Sequence, residues 1–279
     1  MPQKVRISRN MQQRNPVRLA TRRRKRRIIL GVVALIFLGV LMGGVIYVIH
    51  LPAFSIQAIE VTGAHEVSDT AIKQYAQTLL DDGQIHLIPK RMIFAYPKIA
   101  IAAGLRQQFP RLSSAFVSRP SLFSTTLDIA VTERALYAAW CTDSSAVSCY
   151  DMDATGFLYA PLDLATSTGY ISFFGGVMKP ESPIGLYMTP DYFDQVKQFI
   201  SGMTAAGFHV QSFAMLSDKD FDVVLDTGLH VRGSFDYAAD DMIGNLTAAM
   251  GANSIAGKED SLEYIDLRFG NRVYFKLKQ

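Results

Sequence analysis

The chain has 279 residues, 49% of them apolar, and a formal net charge of +3. Disorder needs low hydrophobicity and high net charge, so this composition speaks against it outside the N-terminus. The small net charge hides a split: residues 1–27 carry eleven Lys/Arg and no acid, leaving 17 basic against 25 acidic residues for the rest.

Ile28 to Ile49 is 22 residues without a charge. At ~1.5 Å rise per residue such a helix spans the ~30 Å hydrocarbon core. A cleaved signal peptide has a shorter apolar core of ~7–15 residues, so residues 28–50 are expected to be an uncleaved transmembrane anchor. Arg22, Arg23, Arg24, Lys25, Arg26 and Arg27 abut it. Basic residues beside a membrane helix stay in the cytoplasm. Residues 1–27 are thus expected inside, touching anionic lipid rather than nucleic acid, and residues 51–279 outside. Gly39 and Gly43 form a GxxxG. It fits weak self-association of the helix, and equally the ordinary abundance of glycine in membrane helices.

Beyond the anchor, FSIQAIEVT reads as a strand ending at Gly63. Ser68 is placed to cap a helix in which Ile72, Tyr75, Ala76, Leu79 and Leu80 recur at helical spacing, with Asp82-Gly83 ending it. A second helix is predicted from Pro97 through Ile101 and Leu105, stopping by Pro110. LSSAFVSR and TTLDIAVTE follow as strands, the second with Leu127, Ile129 and Val131 on one face. The order β-α-α-β-β is a small α+β module.

From Glu133 the texture becomes short strands: LYAAWC, SCYDM, GFLYA, YISFF. Thr189-Pro190 is predicted to open a helix bearing Phe193, Val196, Ile200 and Met203. A hairpin is expected to turn near Asp226-Thr227-Gly228, and Ser234 to cap a further helix through Leu246 and Met250. Cys141 and Cys149 bracket TDSSAVS. Outside the cytoplasm the pair can form a disulfide; two buried free thiols are the alternative.

The chain closes on EYIDLRFGNRVYFKLKQ, a hairpin. A two-residue loop at Gly270-Asn271 mixes its faces. A three-residue loop through Arg272 pairs Phe269 with Val273, Leu267 with Phe275 and Ile265 with Leu277, which gives one wholly apolar face. That register is the expectation, with Asp266 opposite Lys276 and Arg268 opposite Tyr274. The last strand is read as a sheet edge open to a partner strand, with Tyr264, Asp266, Arg268, Tyr274 and Lys276 as partner-binding residues.

Catalytic and metal motifs are scarce. DMDATG at Asp151 opens like a calcium loop, but its twelfth position is Leu162 rather than a bidentate Glu, so a β-turn is the better reading. The five histidines are scattered, and no zincin, GxSxG, P-loop or Rossmann pattern occurs. The expectation is a non-enzymatic chain without cofactor or metal.

Several stretches resemble the bacterial cell-division family FtsQ, also called DivIB. IEVTGAHEVSDTAIKQYA resembles its first strand, glycine turn and helix. QFPRLSSAFVSRPSLFSTTLDIAVTERALYAAW resembles its L-x-I-x-V-x-E-R … A-x-W stretch, although Ala135 stands where the family has proline. YDMDATGFLYA is similar to its D-x-x-G turn, and YIDLRFGNRVYFK to its terminal IDLR hairpin. The likeness spans most of residues 54–279 apart from 165–188. It implies a polypeptide-transport-associated (POTRA) module at 54–132 and a β domain at 133–279. It also implies binding of FtsB- and FtsL-like division proteins and other divisome members at the septal membrane. The competing expectations are an anchored module for cell-wall glycan or an export substrate, for which the single Trp140 is thin support, and an envelope hydrolase.

Overall fold

The computed structural model describes residues 16–81, 89–143, 148–162 and 169–278, with side chains from Arg24 onward. Lys4, Arg6, Arg9 and Arg14, and the predicted helix stop at Asp82-Gly83, lie outside the described residues. The fold is mixed α+β, and the chain divides into two compact units.

The first unit holds the N-terminal helix with segments Leu80–Pro97 and Arg119–Thr126. Helix α1 runs Pro16–Ile49. It therefore starts twelve residues before the apolar run, because arginine and lysine are good helix formers and proline suits a first turn. Its stretch Arg24–Ile49 is long and apolar enough to cross a membrane, with a mean hydropathy of 2.8. A 3-10 turn at Pro52–Phe54 follows. Three chain segments are then knitted together. Ile56 N–H donates to Arg91 O (2.8 Å), Ile93 N–H to Phe54 O (3.0 Å) and Gln57 N–H to Thr125 O (2.8 Å).

The second unit contains two sheets. Strand β1 (Ala58–Thr62), helices α2 (Asp69–Leu80) and α3 (Lys98–Gln108), and strands β2 (Leu112–Ser118) and β3 (Thr126–Glu133) come first. The strands form a sheet in the order β1-β3-β2. Ile72 and Ala76 of α2, Ile101 and Leu105 of α3, and Leu127, Ile129 and Val131 of β3 are buried, as their spacing predicts. Gly63 turns the chain after β1 at φ 84°, and a Cβ there would lie 2.2 Å from Val131 O, so only glycine fits. The loop before α2 is held from a distance. The Glu133 carboxylate accepts N–H bonds from His65 (2.8 Å), Glu66 (3.0 Å) and Val67 (2.9 Å).

The larger sheet is built from β4 (Ala138–Cys141), β5 (Cys149–Met152), β6 (Leu158–Pro161), β7 (Ser172–Phe174), β8 (Val210–Met215), β9 (Asp220–Leu225), β10 (His230–Ser234), β11 (Leu262–Phe269) and β12 (Arg272–Leu277). Among the described residues its order is β12-β11-β10-β9-β8-β7-β4-β5-β6. Helix α4 (Phe193–Ala205) connects the parallel neighbours β7 and β8, and helix α5 (Ala239–Met250) connects the parallel neighbours β10 and β11. A parallel pair needs such a crossover. The core between helices and sheet includes Trp140, Phe173, Phe199, Phe213 and Phe221, all fully buried.

Two predicted helix starts are corrected. Helix α4 opens at Phe193 rather than at Thr189-Pro190: Thr189 takes φ 38° and its carbonyl accepts the Tyr192 N–H (2.9 Å), so a turn intervenes. Ser234 does not cap α5. It ends β10, buried, and α5 begins after Ala238 with Asp240 and Asp241 in the first turn, where the helix dipole favours acid. The expected turn at Gly228 is present at φ 80°. Cys141 and Cys149 face each other across antiparallel β4 and β5 and are joined by a disulfide, with Cα atoms 4.0 Å apart.

Candidate partner-binding edge

The closing hairpin differs from its expected register. The turn is the two-residue Gly270-Asn271, since Phe269 pairs with Arg272. A bulge between Asp266 and Phe269 then shifts the ladder, so that Asp266 faces Tyr274, Ile265 faces Phe275 and Tyr264 faces Lys276. The bulge restores what the two-residue loop alone would lose: Ile265 and Phe275 end on one side of the sheet. Asp266 does not oppose Lys276, Arg268 does not oppose Tyr274, and the pairs Ile265–Leu277, Leu267–Phe275 and Phe269–Val273 are not formed.

The apolar face is also not wholly buried. Ile265 and Leu267 are fully buried, but Phe275 and Leu277 on β12 are 38% and 37% exposed. Helix α5 covers this side only in part. Asn245 Nδ2 donates to Gly270 O (2.9 Å), which ties α5 to the turn. Beside that bond runs a groove of about 340 Å³ between Ala248 and Ala249 of α5, Ala252 in the turn after it, and Val273 and Phe275 of β12.

The other side of the sheet is charged and internally paired. Asp266 is buried and takes a bidentate grip from Arg268, Nε to one carboxylate oxygen (2.9 Å) and Nη2 to the other (2.7 Å). Nη1 of Arg268 reaches Asp220 on β9 (2.9 Å). Burial pushes the Asp266 carboxyl up, but the Arg268 side-chain and backbone donors outweigh it and hold it below the usual carboxylate range. The Asp266 bonds in turn push the Arg268 guanidinium up. Arg232 lies over the Tyr264 ring at 4.3 Å, and Lys276 pairs with Glu263 at 2.7 Å.

The five sequence-predicted residues therefore separate. Asp266 and Arg268 are committed to each other, and Arg268 also to Asp220, which makes the pair a brace of the sheet. Tyr264 is half-buried under Arg232, and Lys276 is tied to Glu263. Tyr274 is 50% exposed on the edge strand, its ring packed edge-on against Phe269 at 5.0 Å. Sequence reasoning assigned Phe275 and Leu277 to the core. Only the partial cover by α5 reveals them as surface. Along the N-terminal helix, Arg24, Lys25, Arg26 and Arg27 are exposed on α1; Arg22 and Arg23 are helical, with side chains outside the description.

The two sheet edges are unlike. Past β6 the chain lays down a strap: Leu158 N–H donates to Leu186 O (2.9 Å), Gly185 N–H to Leu158 O (2.8 Å), and Phe157 bridges Tyr187. Pro161, without an N–H, ends β6. Among the described residues no strand or strap lies beyond β12. An uncovered edge with half-exposed apolar side chains is a template for strand pairing. Among the described residues no group of three His, Cys, Asp or Glu could hold a metal ion. Comparison with protein-family models and with curated proteins finds no match.

Proposed function

We propose that this chain is a membrane-anchored, non-enzymatic scaffold of the bacterial divisome, of the FtsQ/DivIB kind. In this reading α1 spans the cytoplasmic membrane with the basic segment inside and the remainder outside. The β1-α2-α3-β2-β3 segment acts as the POTRA module, and the large sheet presents the partner site. An FtsB-like chain, itself associated with an FtsL-like one, adds a strand to β12 and so links septal peptidoglycan synthesis to the anchor. The observation that carries this is the contrast between the strapped β6 edge and the open β12 edge. Tyr274, Phe275 and Leu277 supply exposed aromatic and apolar surface along it, and tyrosine is among the residue types enriched in binding hot spots.

A glycan-binding module is less well supported. Trp140, the residue most suited to stack on a sugar, is fully buried with Nε1 donating to Gly175 O (2.8 Å).

The test is co-purification of the full-length protein from solubilised membranes, followed by affinity measurement with an FtsB-like peptide for Tyr274→Ala and Tyr264→Ala. Recovery of FtsB- and FtsL-like chains, with weaker binding by Tyr274→Ala, is expected. Unchanged affinity in both folded variants would move the docking site elsewhere.

A further inference from the structure

The first unit carries an apolar surface that strand addition does not use. The rings of Phe54, Phe94 and Phe123 touch in series, with centroids 6.4 and 6.0 Å apart. Phe94 is 47% exposed, and Leu122 and Phe123 are 68% and 71% exposed. Single exposed apolar residues are ordinary, but a contiguous aromatic patch marks something that covers it.

The patch is stiffly held. A Ser55–Met92 β-bridge joins the segments that carry Phe54 and Phe94, and Arg119 Nη1 donates to Leu122 O (2.7 Å). The Arg119 guanidinium also lies over Phe94 (5.8 Å) and Tyr96 (5.6 Å), so the tip carrying Leu122 and Phe123 is fixed against the Phe94 loop. A patch built this way is poorly suited to hide by local rearrangement.

Its position on the chain names what covers it. Phe54 follows the last residue of α1, Ile49, by five residues. Even a fully extended link of that length reaches only ~18 Å. The Leu51 N–H to Val48 O (3.1 Å) and Phe54 N–H to Leu51 O (2.9 Å) bonds shorten it further. The bilayer's polar layer adds ~5–8 Å beyond the hydrocarbon on each side. Phe and Leu side chains on interfacial elements bury ~5–10 Å into the headgroup boundary.

We infer that Phe94, Leu122 and Phe123 rest in the headgroup layer of the outer leaflet, so that the first unit is seated on the lipid surface as well as tethered through it. This rests on the anchoring and orientation proposed above. The seat restricts rocking of the first unit about its tether.

The test uses the full chain in phosphatidylethanolamine–phosphatidylglycerol vesicles. Both native cysteines are in the disulfide, so a new cysteine is the sole free thiol for a nitroxide label. Labels go on Phe123→Cys and Leu122→Cys in the patch and on Leu38→Cys within α1, with the same nitroxide free in buffer as the aqueous reference. Relaxation by oxygen, which partitions into lipid, is compared with relaxation by a water-soluble nickel chelate. An oxygen-to-nickel ratio several-fold higher at 123 and 122 than for the same nitroxide free in buffer is expected, approaching that at 38. A water-like ratio at 123 and 122 with a lipid-like ratio at 38 overturns the seat and leaves the anchor intact. Shielding from both reagents means that protein, a second copy included, covers the patch, and also overturns it. A water-like ratio at 38 removes the anchor and the seat together.

Discussion

Tyr274 stands directly across the closing hairpin from Asp266, yet the carboxylate is turned along its own strand to Arg268. The two strands thus divide the labour: β11 holds the sheet and β12 offers surface. Arg268→Ala strands a buried carboxylate and frees Asp220, and breaking a buried pair from one side costs about 3 kcal/mol. Tyr274 is half exposed, and its loss is expected to stay within about 1 kcal/mol. Denaturant unfolding of both variants checks this. Equal losses would mean that Tyr274 is structural or that the Arg268 brace is idle.

Glu133 should make the protein acid-sensitive. Burial pushes its carboxyl up, but the His65, Val67 and Glu66 N–H bonds and the Arg111 charge outweigh that and hold it below the usual range. Asp153, against burial, is held low by Thr155 and by Arg134, and Asp266 shifts the same way. A depressed carboxylate adds stability above its unfolded value of ~4, and that stability is lost as pH falls through the lower folded value. Asp151 runs oppositely: burial raises it despite Arg111, so its ionisation costs stability as pH rises and blunts the acid limb. The thermal midpoint is expected to hold from neutral pH to about 5 and to fall below about 4. Glu133→Gln should lower stability at neutral pH by about 1 kcal/mol, given its partial exposure, and flatten the acid limb. An unchanged limb would remove Glu133 from the account.

The disulfide closes a short loop, with a sequence separation of 8. Loop-closure entropy for that length is about 2.5 kcal/mol. The double variant Cys141→Ala, Cys149→Ala is therefore expected to unfold at lower denaturant by roughly that amount while keeping its circular dichroism. Loss of the folded state altogether would show that the strand pair β4–β5 depends on the bond.

What the sequence disclosed was local. Helix α2 is legible because Ile72 and Ala76 repeat at helical spacing, and β3 because Leu127, Ile129 and Val131 alternate. That α1 is long and apolar enough to cross a membrane is legible from its length and hydropathy alone. The hairpin register was not, because β11 is paired on both sides. Tyr264, Ile265 and Asp266 are pinned in parallel to His230, Val231 and Arg232, and the bulge reconciles that ladder with the two-residue turn. The hairpin's own faces carry no trace of β10, nor of Asp220, 48 positions away in the chain, which takes Arg268. Phe275 and Leu277 read as core because alternation marks a face without saying how far a helix covers it.

The open edge carries the last prediction. Leu277 is 37% exposed near the end of β12, and a lysine is the residue by which natural sheets guard an edge. Leu277→Lys should therefore change the stability of the free protein by no more than about 1 kcal/mol. It should place a charge where an added strand would bury an apolar side chain, and so weaken an FtsB-like peptide by about tenfold, equivalent to ~1.4 kcal/mol. The control lies on the opposite edge. Tyr187 is 45% exposed on the strap that covers β6, and Tyr187→Ala removes comparable surface where no strand can be added. Titration of the peptide against both folded variants decides the matter. Weakening by Leu277→Lys alone supports strand addition at β12. Equal weakening by both, or by neither, means that the partner does not read this edge.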